Sequence, residues 1–295
     1  MPPGKPEVLA LSFHPPFNFR QVTGFLKSRA IPNVEYVEND IYSRSIAIDG
    51  QSGCFTVSFA PNDPSIRLEI YFPDHAKLPL IAYNVKQMFD LNAPVQMIDD
   101  HLKKDRFLSS MVARRPGIRL PGSFNPFELC IRAIIGQQIS VKGASTLIGR
   151  IAVGYGERLT TRNSFGLKYL FPGPEKLAEA DFEGIGLTKA RTATIQHLST
   201  AVLQGRVSFR ASIDPGQLRK ALLNIKGIGE WTAQYILMRT LKYPDAMPWS
   251  DLGLLKAISS DGKPAPEKRL KEMSLPWKPY RAYAAMHLWS SLTEN

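Results

Sequence analysis

The sequence is poor in cysteine. Its 295 residues hold two, Cys54 and Cys130. That is too few for a disulfide framework or for a four-cysteine zinc or iron–sulfur site. A reducing compartment is the simplest reading. Long apolar runs are missing too. Nothing approaches the roughly 20 residues that a bilayer-spanning helix needs, so no membrane partner is expected. The opening "MPPGKPEVLALSF" lacks the charged and apolar regions of a secretion signal. There is no internal repeat and no low-complexity tract. The five histidines, His14, His75, His101, His197 and His287, are scattered without metal-ligand spacing. Acidic residues are outnumbered, 26 against 37 basic, which leaves a net charge of +11 and a pI near 9.6. A surplus of this size suits a polyanionic partner such as nucleic acid, and equally a basic surface with none. Charge does not decide between them.

What is present falls into two unlike parts. "VLALSF" reads as a strand and "FNFRQVTGFLKSRA" has helical spacing. "YSRSIAI", "CFTVSFA" and "IRLEIYF" then alternate apolar and polar residues between the turn clusters "DGQSG" and "PNDPS". The helical stretch "LPLIAYNVKQMFDL" closes an α+β unit over residues 1–92. Beyond it the pattern is almost wholly helical. "ARRPGIRLPGSFNP" crosses as a Pro/Gly-rich segment. "FELCIRAIIGQQ" and "SVKGASTLIGRIAVGYG" predict two helices with a break at Gln137 to Ser140, where Ser140 can cap the second. Further helices follow from "EKLAEA", "LTKARTATIQHLSTAVLQG" and "DPGQLRKALLNI".

"QLRKALLNIKGIGEWTAQYILMRTLKY" predicts helix, tight turn, helix. Gly227 and Gly229 sit where the first helix must stop, and glycine tolerates both positive φ and close backbone approach. The second helix starts with free amides at the positive end of its dipole, a phosphate-sized site. Lys226 and Thr232 add side-chain donors. Alone, this is also the pattern of an ordinary αα-hairpin. Twenty residues past Trp231, after "KYPDAMPWS", stands Asp251, ahead of "LGLLKAI". Asp is a common helix N-cap there.

Hairpin, then aromatic, then Pro-x-x-Asp resembles the helix–hairpin–helix (HhH-GPD) base-excision DNA glycosylases. "RPGIRLPG", "FELCIRAIIGQQISV", "GIGEWTAQY", "WKPYRAYAAMHLW", "HPPFNFRQVTGFLKSRA" and "YSRSIAI" narrow the resemblance to the DNA-3-methyladenine glycosylase II (AlkA) type, over nearly the whole chain. The resemblance implies an α+β fold: a TBP-like N-terminal antiparallel sheet with helices, then a mostly helical HhH-GPD core. That core would have two subdomains, residues 126–243 with the hairpin and residues 93–125 plus 244–295 with the catalytic acid, and a cleft between them.

It also implies roles. Asp251 falls on the catalytic aspartate. Trp231, Tyr235 and Trp289 fall on aromatics of the base pocket. Gly227, Gly229 and Thr232 fall on positions whose amides grip a DNA phosphate, with Lys226 beside them. Gln137 and Gln138, followed by Ser140, fall on the loop that enters the minor groove. Family hairpins often hold Na+ or K+ through main-chain carbonyls, here those of Leu223, Ile225 and Ile228; no other cofactor is implied. Lyase members carry a lysine at the place of Trp231, so a monofunctional enzyme is expected. Gln138 stands where the family inserts a leucine, Ser250 where it has a second acid, and Leu252 where it has an aromatic. The expected activity is hydrolytic release of flipped-out alkylated bases such as 3-methyladenine from double-stranded DNA, starting base-excision repair. The alternatives are a glycosylase for deaminated or oxidised bases and a non-catalytic DNA-binding hairpin protein. A monomer in the bacterial cytoplasm, drawn to the nucleoid by DNA, completes the expectation.

Overall fold

The structure, a computed structural model, describes residues 5–60, 63–161, 163–210, 212–259 and 263–292. Its first part is a five-stranded antiparallel sheet in the order β1-β5-β4-β3-β2, with β1 Glu7–Ser12, β2 Glu35–Glu38, β3 Ile41–Ile48, β4 Gln51–Phe59 and β5 Ser65–Tyr71. Two short turns set the register. Asp49 and Gly50 join β3 to β4 with φ of 49° and 76°, pairing Ile48 with Gln51. Asn39 and Asp40 join β2 to β3 with φ of 50° and 58°, pairing Glu38 with Ile41. Asx and Gly residues reach positive φ at low cost, and two-residue turns of that kind match strand twist. Strand β2 was not among the sequence expectations: "EYVE" is short and half charged, and the turn that pairs it holds no glycine.

Alternation buries one row of each strand. In β5, Ile66, Leu68 and Ile70 are buried. Helices α1 (Phe19–Lys27) and α2 (Leu78–Met88) bury Phe19, Val22, Leu26, Ile81, Val85 and Met88 in the same core as these residues. Each fully buried side chain of this size contributes roughly 1.5–3 kcal/mol over leaving it exposed. Asn18 caps α1 by accepting from the Gln21 amide at 3.0 Å.

The rest of the chain is helical: α3 Val95–Leu102, α4 Ser109–Arg114, α5 Pro126–Ile135, α6 Val141–Tyr155, α7 Pro174–Ala178, α8 Lys189–Leu203, α9 Pro215–Leu223, α10 Glu230–Thr240, α11 Leu252–Ala257, α12 Glu267–Met273 and α13 Arg281–Ser291. Ser140 caps α6 as the sequence predicts, and three other starts are capped in the same way. Asn125, Ser140, Thr188 and Asp214 accept from amides in the first turns of α5, α6, α8 and α9, and Pro126 and Pro215 occupy first helical positions. The α+β class is as expected. Helices α3, α4 and α12 are additions to the sequence reading. Among the described residues no helix is long and apolar enough to cross a membrane.

The sheet and the helical core exchange residues at their junction. Ile31 and Val34 pack into the helical core, and Phe124 packs into the sheet core. A buried quartet spans the same seam. Arg44 of β3 meets Glu128 of α5 at 2.6 Å and Glu35 of β2 at 3.7 Å, while Arg132 of α5 meets Glu35 at 2.5 Å and Glu128 at 2.6 Å. Burial works against the Glu35 charge, but Arg132 and Arg44 outweigh it and hold its carboxyl below the ordinary range. Removing one member of such a set costs about 3–5 kcal/mol because a partner charge is stranded.

Candidate active site

The hairpin forms where the glycines predict. Helix α9 ends at Leu223, and Gly227 takes φ of 97°. A Cβ on Gly227 would stand 2.0 Å from the Thr194 hydroxyl oxygen, and that hydroxyl donates to the Lys226 carbonyl at 3.1 Å. Only glycine fits both the dihedral and the close approach. Gly229 is different. Its backbone is extended, and no atom lies within 4 Å of where its Cβ would stand. It caps α10 without a side-chain bond, so no cap side chain meets the first amides of α10. Lys226, Gly227 and Gly229 are exposed.

Thr232 is buried, and its hydroxyl accepts from Gln137 Nε2 at 2.9 Å. Contact with an outside phosphate would fall to its amide, the role the resemblance implies, and not to the side-chain donor also expected. Gln137 also donates to the Gly227 carbonyl at 3.0 Å, and its own carbonyl accepts from Arg191. Gln137 therefore ties the loop after α5 to the hairpin. Gln138, next to it, is exposed and held at φ of 56°. The Ser140 hydroxyl caps α6, accepting from Gly143 at 3.1 Å.

A cavity of about 870 Å³ lies between this loop, α10, α11 and α13. Asp251 lines it and caps α11 by accepting from the Leu254 amide at 3.0 Å. The same carboxylate accepts from Trp231 Nε1 at 2.9 Å and from Trp289 Nε1 at 2.8 Å. Two indole N–H groups and a backbone amide thus fix both oxygens. The Trp231 and Tyr235 rings, four residues apart on α10, run near-parallel at 8° with centroids 5.4 Å apart. Trp289 stands edge-on to Tyr235 at 6.3 Å. The structure brings Trp231, Tyr235, Asp251 and Trp289 into one half-buried cluster.

Three contributors lay outside the sequence reading. Gly253 lies against the carboxylate: a Cβ there would stand 3.0 Å from Asp251 Oδ1 and 3.2 Å from the Trp289 ring. Phe25 and Arg29 reach the cavity from α1 and its end, in the N-terminal part. Their signal was weak, since an aromatic and a basic residue four apart on a helix are ordinary surface features. Burial opposes ionisation of the Tyr235 phenol, but the adjacent Arg239 guanidinium, with Arg29, outweighs it and holds the phenol below its usual value. Leu252 is exposed at the cavity mouth beside Ser250.

Main-chain carbonyls are hard oxygen donors of the kind a monovalent cation takes. At the hairpin the Ile225 carbonyl already accepts from the Ile228 amide at 3.0 Å, which leaves it a second lone pair. Among the described residues no group of three His, Cys, Asp or Glu side chains could hold a metal. Cys54 and Cys130 are buried free thiols that burial pushes upward in pKa, Cys54 to about 11.

Residues 8–125 match the AlkA N-terminal domain family. Over 284 residues the chain is 35% identical to a "probable bifunctional transcriptional activator/DNA repair enzyme AlkA" of Mycobacterium tuberculosis, a match that covers 96% of this chain and 57% of that protein. The chain thus spans little more than half of that relative's length. In solved structures, a 3-methyladenine DNA-glycosylase from Archaeoglobus fulgidus shares the fold at a TM-score of 0.80, with 22% identity over 96% of this chain and 97% of that one. The DNA-3-methyladenine glycosylase 2 of Escherichia coli is 34% identical over 287 residues, covering 95% of both chains. On that likeness across 95% of its length, the chain belongs to the DNA-3-methyladenine glycosylase II (AlkA) family.

Proposed function

We propose that this protein is a monofunctional DNA glycosylase that flips alkylated bases such as 3-methyladenine out of duplex DNA and hydrolyses the N-glycosidic bond. The observation that carries the reading is the Asp251 carboxylate, clasped by the indole N–H groups of Trp231 and Trp289 inside an aromatic cavity. The hairpin opens beside it.

The steps follow from the residues. A stacked base is out of reach, and extruding it costs a few kcal/mol, less when the base is damaged. The open amides of α10, with Lys226 and the basic surplus, grip the backbone, and that grip weakens with salt. Gln138, on its left-handed residue, props the gap, while Gln137 locks the loop to the hairpin. An alkylated purine carries positive charge, and a cation over an aromatic face gains roughly 0.5–2 kcal/mol. As the bond breaks, charge of oxocarbenium type develops on the sugar. A fixed carboxylate stabilises it and orients the attacking water. Trp231, where lyase relatives carry a lysine, offers no amine for a Schiff base.

The partner is duplex DNA, bound by a monomer, and the compartment is the bacterial cytoplasm. Catalysis requires no cofactor; a Na+ or K+ ion at the Leu223, Ile225 and Ile228 carbonyls would brace the hairpin. The domain division at residue 92, with 126–243 and 93–125 plus 244–295 as the halves of the core, belongs to the same proposal.

The test is a release assay on DNA carrying 3-methyladenine, 7-methylguanine, hypoxanthine or ethenoadenine. Free alkylated base with an intact, alkali-labile strand is expected. Duplex binding without base release would contradict the reading, and strand cleavage without alkali would contradict its monofunctional part.

A further inference from the structure

The cavity is electrically lopsided. At one end stands Asp251. At the other, the Arg239 guanidinium lies 5.3 Å from the Tyr235 ring centre and 4.8 Å from that of Phe25, and Arg29 lies 3.8 Å over Phe25. Arg239 is buried, and its donors go to the Pro121 carbonyl at 2.8 Å, the Gly122 carbonyl at 2.9 Å and the Tyr235 hydroxyl at 2.8 Å. Arg29 donates to the Ser28 hydroxyl at 2.9 Å and the Phe25 carbonyl at 3.4 Å. These partners are neutral, and among the described residues neither arginine meets a carboxylate. Arg132, which also lines the cavity, is by contrast matched by Glu35 and Glu128. Arginine stays protonated in proteins, so two charges remain at the Tyr235 end.

We infer that Arg29, delivered by the N-terminal part of the chain, is a specificity-determining residue that favours neutral lesions over cationic ones. The inference rests on the glycosylase reading above. When the C1′–N9 bond breaks, its electron pair goes to the purine. Water adds its oxygen to C1′; the proton it gives up goes to the departing anion when the purine was neutral, and to solvent when it was cationic. Counted from the base in its stack, a neutral purine passes from neutral to anionic as the bond breaks, before it takes that proton. The field of Arg29 and Arg239 stabilises that anion in a water-poor site, as fixed donors stabilise an oxyanion. A cationic purine ends neutral. It is repelled on entry and gains nothing net. The arginine pair therefore acts on the ratio of the two reactions.

The experiment compares hypoxanthine with 7-methylguanine, which share a 6-oxo edge and differ in charge. Single-turnover rates are taken at sub-saturating enzyme, so that extrusion and bond cleavage are both counted. Arg29→Met keeps length and packing on Phe25, and the hypoxanthine to 7-methylguanine ratio is expected to fall about tenfold or more. Arg29→Lys keeps the charge and should retain most of the ratio. Binding to abasic DNA checks the fold, and Arg29→Gln replaces the methionine variant if that one fails. An unchanged ratio in Arg29→Met, or an equal fall in Arg29→Lys, overturns the proposal. So does a wild-type protein that releases 7-methylguanine and no hypoxanthine. Release of neither base would sink the glycosylase reading itself.

Discussion

Helices α10 and α11 both start at the cavity, and they start differently. At α10 the cap is Gly229, with no side chain to meet the first amides and open space where a Cβ would stand. At α11 the cap is Asp251, whose carboxylate accepts the Leu254 amide and, in addition, two indole N–H groups. A helix start must satisfy its free amides from inside or outside the chain. In our account α10 leaves them for a DNA phosphate. At α11 the residue that satisfies them is also the acid that faces the sugar. One physical requirement, met in two ways, separates holding from chemistry.

Four predictions probe that division. Asp251→Asn keeps the shape and loses the charge, and base release should fall about 10²–10³-fold or more in a single-turnover assay. Near-normal release would place the chemistry elsewhere.

The second concerns α13, which presents Trp289 to Asp251. His287 on that helix is fully buried, and among the described residues neither of its ring nitrogens has a hydrogen-bond partner. Burial, with Arg115 nearby, pushes its pKa down to about 4. Its folded pKa lies below its unfolded one, so between pH 6.5 and 4 the unfolded chain binds the extra proton. Stability should be lost as pH falls through that window, by about 3 kcal/mol in all. Denaturant midpoints measured against pH should lose that part of their slope in His287→Leu. An unchanged slope would remove His287 from the acid sensitivity of this end.

Gly227→Ala attacks the other end. The new Cβ would need positive φ and would meet the Thr194 hydroxyl oxygen at 2.0 Å. A loss of about 2 kcal/mol or more in chemical denaturation is expected, with weaker DNA binding. Gly229→Ala meets no such obstacle and serves as the control. The smallest effect is expected from Gly253→Ala. A Cβ at 3.0 Å from Asp251 Oδ1 is tight rather than prohibitive, and displacing the acid slightly should slow release about tenfold. Release at the wild-type rate would show that the carboxylate tolerates movement.

Much of this layout was legible in the residues. Gly227 announced its positive φ, Ser140 announced the start of α6, and the spacing from Trp231 to Asp251 pointed to one site. These features are local in the chain. What could not be read depends on closure in space. Trp289 reaches Asp251 only once α13 packs beside α11. Gln137 reads as a loop residue until the hairpin is set against it. Phe25 and Arg29 join the cavity through the seam held by Arg44, Glu128, Glu35 and Arg132, and no run of sequence carries that geometry. Strand β2 was missed because its hairpin uses Asn39 and Asp40 in place of a glycine.

The division between the two helix starts is tested most directly by measuring abasic-DNA affinity for Asp251→Asn and Gly227→Ala side by side, at one salt concentration. The account predicts that Asp251→Asn binds within about threefold of wild type, while Gly227→Ala loses tenfold or more, on the order of one backbone contact. Equal losses in both variants, or a greater loss at Asp251, would contradict it.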